Sequence, residues 1–399
     1  MAKIAILDTV FTWPPDGGAR TDLMEVASRL ASDHEVVMFV VDFNWLFPRG
    51  RITGALPFAV RKIPFRLSEF TGSGITAKFK RELDRFKPDH VFIGDSWYFK
   101  PYLMDAAKEF PTYVRFYAYE SLCLRGGGTL FRNNQICPRN YLVRSKAARI
   151  TCGFCALFRS SRAHFHEILA ARVFTDDYVD RFIAGLTRAR NIIVYNEFAK
   201  TRLAGYNPRI KIIPSGVDAA RFTPLPPPAD KRGINVLMVG RAMDRNKGFH
   251  ILHRASRNLW DQGVEFNLLG TSARPIRLDK VINAGWMPQE KLPFLYAQSD
   301  ICVVPSLWPE PFGIVALEAM ACGKPVIVSK VGGLQDIVSD GVDGYVVEPG
   351  MVAPLQQKLL ALLADPLLRQ SLGQAGRQKV LNKFTWDAIY ENHYAALFS

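Results

Sequence analysis

The densest chemistry in the chain lies at residues 299–320, Ser-Asp-Ile-Cys-Val-Val-Pro-Ser-Leu-Trp-Pro-Glu310-Pro-Phe-Gly-Ile-Val-Ala-Leu-Glu318-Ala-Met. An apolar run ends near Val304, a proline-rich loop follows, and Gly313 opens a helical pattern that starts at Ile314. A helix start presents free N–H groups and a partial positive charge, which suits phosphate. Glu310 stands in the loop, and Glu318 lies about one turn inside the helix, pointing back toward its start. Two acids flanking a phosphate site make sense as acceptors of hydrogen bonds from hydroxyls, such as those of a ribose and a hexose. The plainer alternative is a surface glutamate and a helix-dipole glutamate.

A second candidate is Val239-Gly240-Arg241-Ala-Met-Asp-Arg-Asn-Lys247-Gly248, again directly after a predicted strand. Gly240 permits a close turn, and Arg241 and Lys247 are placed to neutralise a diphosphate; a solvated basic loop is the alternative. The chain has no Asp-x-Asp, the acidic metal site of many nucleotide-sugar enzymes, so fixed cations would have to stabilise a leaving diphosphate. A third is Asp16-Gly17-Gly18-Ala19, where two glycines let backbone approach a ligand. It is not the Gly-x-Gly-x-x-Gly fingerprint, which disfavours a nicotinamide-dependent enzyme, and no Walker motif occurs.

These loops need strands to hold them. Strand-like runs fall at residues 4–7, 36–41, 90–93, 112–116, 191–195 and 211–213, then at 235–239, 264–269, 301–304, 325–328 and 344–347. They are rich in β-branched residues without strict alternation, as expected of parallel strands covered on both faces. Helical patterns lie between them, at 22–31, 314–321 and 352–363 among others. The alternation predicts an α/β chain of two doubly wound, Rossmann-like domains facing across a cleft, with ligands at the carboxyl ends of the strands. Four prolines (Pro224, Pro226, Pro227 and Pro228) mark the linker. The expected division is 1–222, an N-terminal Rossmann-like domain; 223–230, the linker; 231–384, a C-terminal Rossmann-like domain; and 385–399, the C-terminal segment. Residues 121–172 fit the alternation poorly and read as an insertion.

The 399 residues are 48% apolar and 22% charged, which excludes a mostly disordered chain. No apolar run approaches the ~18 residues of a membrane span. The start, Lys3 to Asp8, reads as a buried strand rather than a signal peptide, so a cytoplasmic protein is expected. Of the net charge of +14, residues 1–225 carry +12, with 33 Lys/Arg against 21 Asp/Glu. The excess peaks at 121–172, with nine Lys/Arg and one acid, Glu167. Such a field attracts an anionic membrane leaflet or an anionic substrate, and equally describes a solubilising face. Nucleic acid is disfavoured, because no nucleic-acid-binding module is recognisable.

Taken together, the three loops resemble glycosyltransferase family 4 of the GT-B fold. The likeness extends to Ile213-Pro-Ser-Gly-Val-Asp218 (the family usually has Asn in place of Ser215), Pro305-Ser306, Ala321-Cys-Gly-Lys-Pro-Val-Ile, Gly332-Gly333, Asp340-Gly-Val-Asp-Gly-Tyr and Phe384-Thr-Trp386. It is specific in the C-terminal half and looser in the N-terminal half. It implies a retaining, metal-independent hexosyltransferase that takes a nucleotide sugar, UDP- or GDP-linked first, and serves cell-envelope or surface polysaccharide synthesis. It implies that Arg241 and Lys247 hold the diphosphate, with Gly240 beside them and Gly17 and Gly18 approaching from the other domain. Glu310, with the backbone of Phe312, Gly313 and Ile314, would hold the sugar, and Glu318 the ribose. The base would be read around residues 270–274 and 284–287. No catalytic cofactor is implied. By the same resemblance the N-terminal domain would bind the acceptor, the C-terminal domain the nucleotide sugar, and 385–399 would be a helix returning to the first domain. The acceptor would be a glycan or a lipid-linked sugar, and the +12 charge of the N-terminal half points to an anionic one, a lipid-linked diphosphate sugar at the inner membrane leaflet or an acidic polysaccharide.

The chain departs from the family where many members carry a His-Asp-Tyr-Trp-like run. Here it reads Tyr117-Ala-Tyr-Glu120, with Tyr117 in the histidine slot. Asp95, Tyr117 and Glu120 are the candidates for positioning the acceptor, against the alternative of ordinary polar residues at a strand end. Four cysteines cluster at Cys123, Cys137, Cys152 and Cys155. In a cytoplasmic protein they suggest a structural Zn²⁺ site, a reading supported by a similar run in some family members; buried or redox-active thiols are the alternative. Other functions stay open on this fold: a nucleotide-sugar epimerase, a phosphorylase-like enzyme, or a non-catalytic nucleotide-sugar-binding partner.

Overall fold

A computed structural model describes residues 1–15, 17–43, 49–125, 131–132, 135–137, 139, 141–142, 146–159, 162–273 and 275–398. Asp16 and Arg274, part of the expected ligand loops, lie outside the described residues. The chain divides into two units, one of Met1–Leu130, Cys137–Pro214 and Tyr390–Ser399, the other of Phe131–Ile136 and Ser215–Ile389.

In the first unit lie β1 (Lys3–Asp8), β2 (Glu35–Asp42), β3 (Ala59–Pro64), β4 (His90–Ile93) and β5 (Thr112–Arg115); the chain then makes a short hairpin of β6 (Phe131–Arg132) and β7 (Gln135–Ile136), which groups with the second unit. Then come β8 (Asn191–Val194) and β9 (Ile210–Ile212). The parallel sheet runs β3-β2-β1-β4-β5-β8-β9, with Ile6 of β1 in register with Met38 and Phe92. Helices α1 (Gly18–Asp33), α2 (Gly72–Phe86) and α3 (Lys100–Ala106) connect the early strands. Between β5 and α6 (Asp176–Arg188) the chain inserts the hairpin, α4 (Lys146–Arg159) and α5 (Arg162–Ala170); α7 (Glu197–Leu203) then links β8 to β9. The middle strands are buried along their length, which is why their sequences do not alternate.

The second unit holds the parallel sheet β12-β11-β10-β13-β14-β15. Its strands are β10 (Asn235–Met238), β11 (Asn267–Gly270), β12 (Val281–Asn283), β13 (Ile301–Val304), β14 (Val326–Ser329) and β15 (Tyr345–Val347). Helices α8 (Phe249–Asp261), α9 (Leu292–Gln298), α10 (Ile314–Ala321), α11 (Leu334–Ile337), α12 (Val352–Ala364) and α13 (Pro366–Lys383) alternate with them. One core joins Val236, Leu268, Ile301 and Ile327 of the sheet to Leu252, Leu259, Leu355 and Leu359 of α8 and α12.

Sequence expectation and structure differ at the sheet edges. In β3 only Ile63 is buried, and in β12 nothing is, so neither carries a hydrophobic signal. The run expected at 264–269 starts pairing only at Asn267, because the Val264 N–H bonds back to Leu259 O (3.0 Å) and closes α8. Residues 215–222 belong to the second unit: Val217 N donates to Phe384 O (2.8 Å), and Gly216 packs against the Trp386 ring. Tyr390–Ser399 belong to the first, where Tyr390 donates to Asp33 Oδ2 (2.5 Å) and Tyr113 donates to Leu397 O (2.6 Å).

Arg115 on β5 is fully buried in the first unit. It donates to Ile213 O (2.7 Å), faces Asp22 (3.4 Å) and stacks over Tyr195 with its guanidinium 4.0 Å from the ring centre. Arg115→Ala leaves the buried Asp22 carboxylate without its cation and is expected to cost about 3–5 kcal/mol. Denaturant unfolding of variant and wild type checks this; equal midpoints would mean that Asp22 is buried uncharged.

Candidate functional site

In the second unit the two C-terminal candidate loops meet. The loop after β10 lies against the loop after β13: Leu307 N donates to Asn246 O (2.8 Å). Gly248, with φ +76°, sits so tightly that a Cβ there would lie 1.9 Å from Pro305 O. This contact brings Lys247 onto Glu310. The ammonium donates to Glu310 Oε1 at 2.7 Å, Ser306 Oγ donates to the same oxygen at 2.5 Å, and the ammonium also lies 5.3 Å from the centre of the Trp308 ring. The Trp308 Nε1 is buried without a hydrogen-bond partner.

The loop carrying Glu310 is clamped from its other side. Gly333 N donates to Glu310 O (2.8 Å), and a Cβ on Gly332 would lie 2.0 Å from that same oxygen. A Cβ on Gly333 would lie 2.7 Å from Phe312 O, so the glycine pair is required by close approach of backbone to backbone. Gly313 then turns into α10 at φ +110°, without a side-chain cap and with no acid in the first turn. The positive end of α10, at Ile314, is left available to an anion.

Arg241 is exposed and pairs with Asp244 at 3.3 Å, apart from the Lys247–Glu310 contact. Gly240 takes φ +123°, a conformation that favours glycine, with open space where a Cβ would stand. Its N–H donates to Thr271 Oγ1 (2.6 Å), and that hydroxyl donates back to Gly240 O (2.7 Å). Glu318 is buried. Tyr296 donates to its Oε2 (3.1 Å) and Gln289 to its Oε1 (3.4 Å). Burial pushes its carboxyl up to about 7, against the pull of those two hydrogen bonds.

In the first unit, Gly17 precedes α1 in extended backbone, and a Cβ on Gly18 would meet nothing within 4 Å. Asp95 follows β4, and its N–H donates to Asp8 Oδ2 (2.7 Å). Burial, with the Asp95 charge beside it, holds the Asp8 carboxyl well above the usual range. Glu120 folds back on its own turn. It accepts from Ala118 N (2.9 Å) and from the buried Lys100 ammonium (3.0 Å), and burial raises its carboxyl. Tyr117 points into the core beside Tyr195 and Arg115; its hydroxyl is buried without a partner, and burial holds it protonated. Glu120 and Tyr117 are thus committed to the interior of the unit.

Cys123, Cys137, Cys152 and Cys155 are half-buried and not joined in disulfides. Burial pushes the Cys152 thiol up to about 11, and the other three sulfurs are near enough to disfavour its thiolate further. Among the described residues, no group of three or more His, Cys, Asp or Glu side chains is arranged to hold a metal.

Residues 226–379 match the family model of glycosyl transferases group 1. The fold is GT-B. A D-inositol 3-phosphate glycosyltransferase from Geodermatophilus obscurus is 32% identical over 257 residues, 57% of this chain and 55% of that protein. The chain thus matches about half the length of that relative. A sucrose-phosphate synthase from Thermosynechococcus elongatus superposes with a TM-score of 0.68 at 24% identity, over 100% of this chain and 99% of the other. An Anabaena protein in complex with UDP-glucose superposes with a TM-score of 0.67 at 17% identity, over 100% and 99%.

Within the residues matching the group 1 model, the sequence points to Lys247, Glu310 and Glu318 and places Thr271 only within the stretch expected to read the base, not as a partner of Gly240; it does not point to Tyr296 or Trp308. Thr271 and Tyr296 act through contacts with Gly240 and Glu318, 31 and 22 residues away, and no local signal marks those contacts. Trp308 is visible only once Lys247 is placed over it.

A carboxyl that ionises later when folded keeps its proton after an unfolded one has lost it. The Glu318 contribution to stability therefore falls as pH rises from 4.5 to about 7. Glu318→Gln is expected to flatten that slope. Urea midpoints of the two proteins across this window check it; parallel profiles would show that Glu318 ionises as in water.

Proposed function

We propose that the chain is a retaining hexosyltransferase that needs no metal and takes a nucleotide sugar. The observation that carries this reading is the convergence of Lys247 and Ser306 on one oxygen of Glu310, in the loop that leads to the uncapped start of α10. A cation, a helix N-terminus and a carboxylate side by side suit a ligand with diphosphate at one end and hydroxyls at the other. In the proposal, Lys247 and the first N–H groups of α10, around Gly313 and Ile314, hold the diphosphate. Arg241, exposed and loosely paired, swings onto it. Glu310 accepts from sugar hydroxyls, and Glu318, whose raised carboxyl is half-protonated near neutral pH, exchanges hydrogen bonds with the ribose.

The reaction then needs little acid–base help. The acceptor oxygen bonds to the anomeric carbon on the face the diphosphate leaves, and the sugar–phosphate bond breaks. The departing phosphate oxygen takes the acceptor proton, so configuration is retained. Arg241, Lys247 and the helix end stabilise the charge that develops on the diphosphate, the part a divalent metal would otherwise supply. UDP-linked sugars are the first donors to test, because a structural neighbour is solved with UDP-glucose. The +12 charge of residues 1–225 favours an anionic acceptor, a lipid-linked sugar at a membrane face or an acidic glycan.

The buried hydroxyl of Tyr117, in the slot of the family histidine, favours a second reading, a nucleotide-sugar-binding partner without turnover. Donor consumption in the presence of acceptor glycans separates the two.

Calorimetry with UDP, GDP, ADP and dTDP tests the donor site. One nucleotide should bind tightly, and Arg241→Ala, an exposed change that leaves packing intact, should weaken it at least about tenfold, as losing a charge-assisted phosphate contact does. A folded protein that binds none of the four would show that the loops survive as scaffold only.

A further inference from the structure

The insertion between β5 and α6 carries large apolar side chains that stand exposed on two helices. Helix α4 is anchored by one side. Ala156 is fully buried, Gly153 lies so close to Phe174 that a Cβ would be 2.0 Å from its ring, and the buried Arg149 pairs with Asp176. Helix α5 is anchored through Ile168 and Glu167, the latter paired with Arg49. The opposite side of α4 carries Ile150, Phe154 and Phe158, spaced four apart and 53%, 54% and 82% exposed. Phe165 and Leu169 continue it on α5, at 42% and 51%. Phe154 and Phe158 stack on each other, 6.2 Å between ring centres and 13° between planes.

Single exposed apolar residues are ordinary, but five large ones on two successive helices are not. Their surroundings identify what covers them. Residues 121–172 carry nine Lys/Arg and one acid, and that acid, Glu167, is already paired in the interior. A second copy of this segment would bring together two segments of the same positive net charge, which like-charge repulsion opposes. An aromatic and aliphatic face carried by a segment rich in Lys and Arg matches the boundary of an anionic bilayer, where rings enter the headgroup–acyl region and cations meet lipid phosphates. Among the described residues no helix is long and apolar enough to cross a membrane, so the contact lies in the interface plane.

We infer that Ile150, Phe154, Phe158, Phe165 and Leu169 form a docking face through which the insertion seats on an anionic lipid surface. The face locates the membrane contact to which the proposed lipid-linked acceptor would be tethered, and its link to an acceptor rests on the proposed transferase activity; the lipid contact itself does not.

Flotation of the full chain with phosphatidylglycerol-containing vesicles, and with neutral phosphatidylcholine vesicles, tests it. The wild type should bind the anionic vesicles, lose binding as salt rises, and bind neutral vesicles far less. Phe154→Ser combined with Phe158→Ser changes two exposed rings and should weaken anionic binding at least about tenfold, given the transfer free energy of two aromatic side chains. Absence of wild-type binding to anionic vesicles, equal binding to neutral ones, or undiminished binding by the double variant would each overturn the inference. A wild-type dimer dissolved by the double substitution, without vesicle binding, would overturn it in favour of a second copy. Nucleotide calorimetry on the same preparations keeps the two readings apart. Nucleotide binding without flotation rejects the lipid face alone, and flotation without nucleotide binding rejects the transferase reading alone.

Discussion

The second unit is organised around one carboxylate oxygen. Glu310 Oε1 receives both the Lys247 ammonium and the Ser306 hydroxyl, and that meeting requires two loops, from β10 and β13, to lie in backbone contact. Each neighbouring glycine serves the same requirement. Gly248 lets one loop reach Pro305, while Gly332 and Gly333 let a third segment press on the backbone of Glu310 and Phe312. A half-buried ion pair of this kind adds little net stability, because desolvation offsets the attraction. Its consequence is positional: a cation and an acid are held side by side in the loops next to the start of α10.

The parallel sheets make that arrangement possible. In each unit the central strands are buried on both faces, so side chains along them serve packing, and polar chemistry is confined to the loops at their ends. The first unit shows the same rule with a different outcome. Asp8, Asp95, Lys100 and Glu120 gather at the ends of β1, β4 and β5, but most of their hydrogen bonds hold the loops in place. Burial raises the Asp8, Glu120 and Tyr117 groups because the surrounding unit gives each charged form less solvation than water would.

The insertion follows a different logic. Its helices bury one side against the first unit through small residues, Gly153 and Ala156, and leave a row of aromatic and aliphatic side chains on the other. Amphipathicity normally points apolar residues inward; here α4 has apolar residues on both sides, and the outward set is the larger in side-chain size. Together with a nearly acid-free sequence, that is the composition of a segment adapted to two environments at once.

Much of this was legible in the chain itself. The central strands and α10 follow from apolar runs that burial on both faces demands, and the Glu310–Glu318 spacing and the Arg241–Lys247 loop stand out because their residue types recur at strand ends where ligands bind. The edge strands β3 and β12 were not legible, since an edge pairs through backbone and needs no buried side chains. Nor were the partners that complete the site. Thr271 reaches Gly240, Tyr296 reaches Glu318, and Lys247 reaches Glu310 across separations that only folding closes. The inward turn of Tyr117 and the outward turn of Phe154 and Phe158 were likewise invisible, because a residue's type states what it can do while its neighbours in space decide which way it faces. Sequence alone determined the α/β class, the charge asymmetry and the candidate loops at the strand ends, through local periodicity and composition. Tertiary structure decided which charges meet, which carboxyls burial raises and which apolar face is left over, because each depends on contacts between segments far apart in the chain.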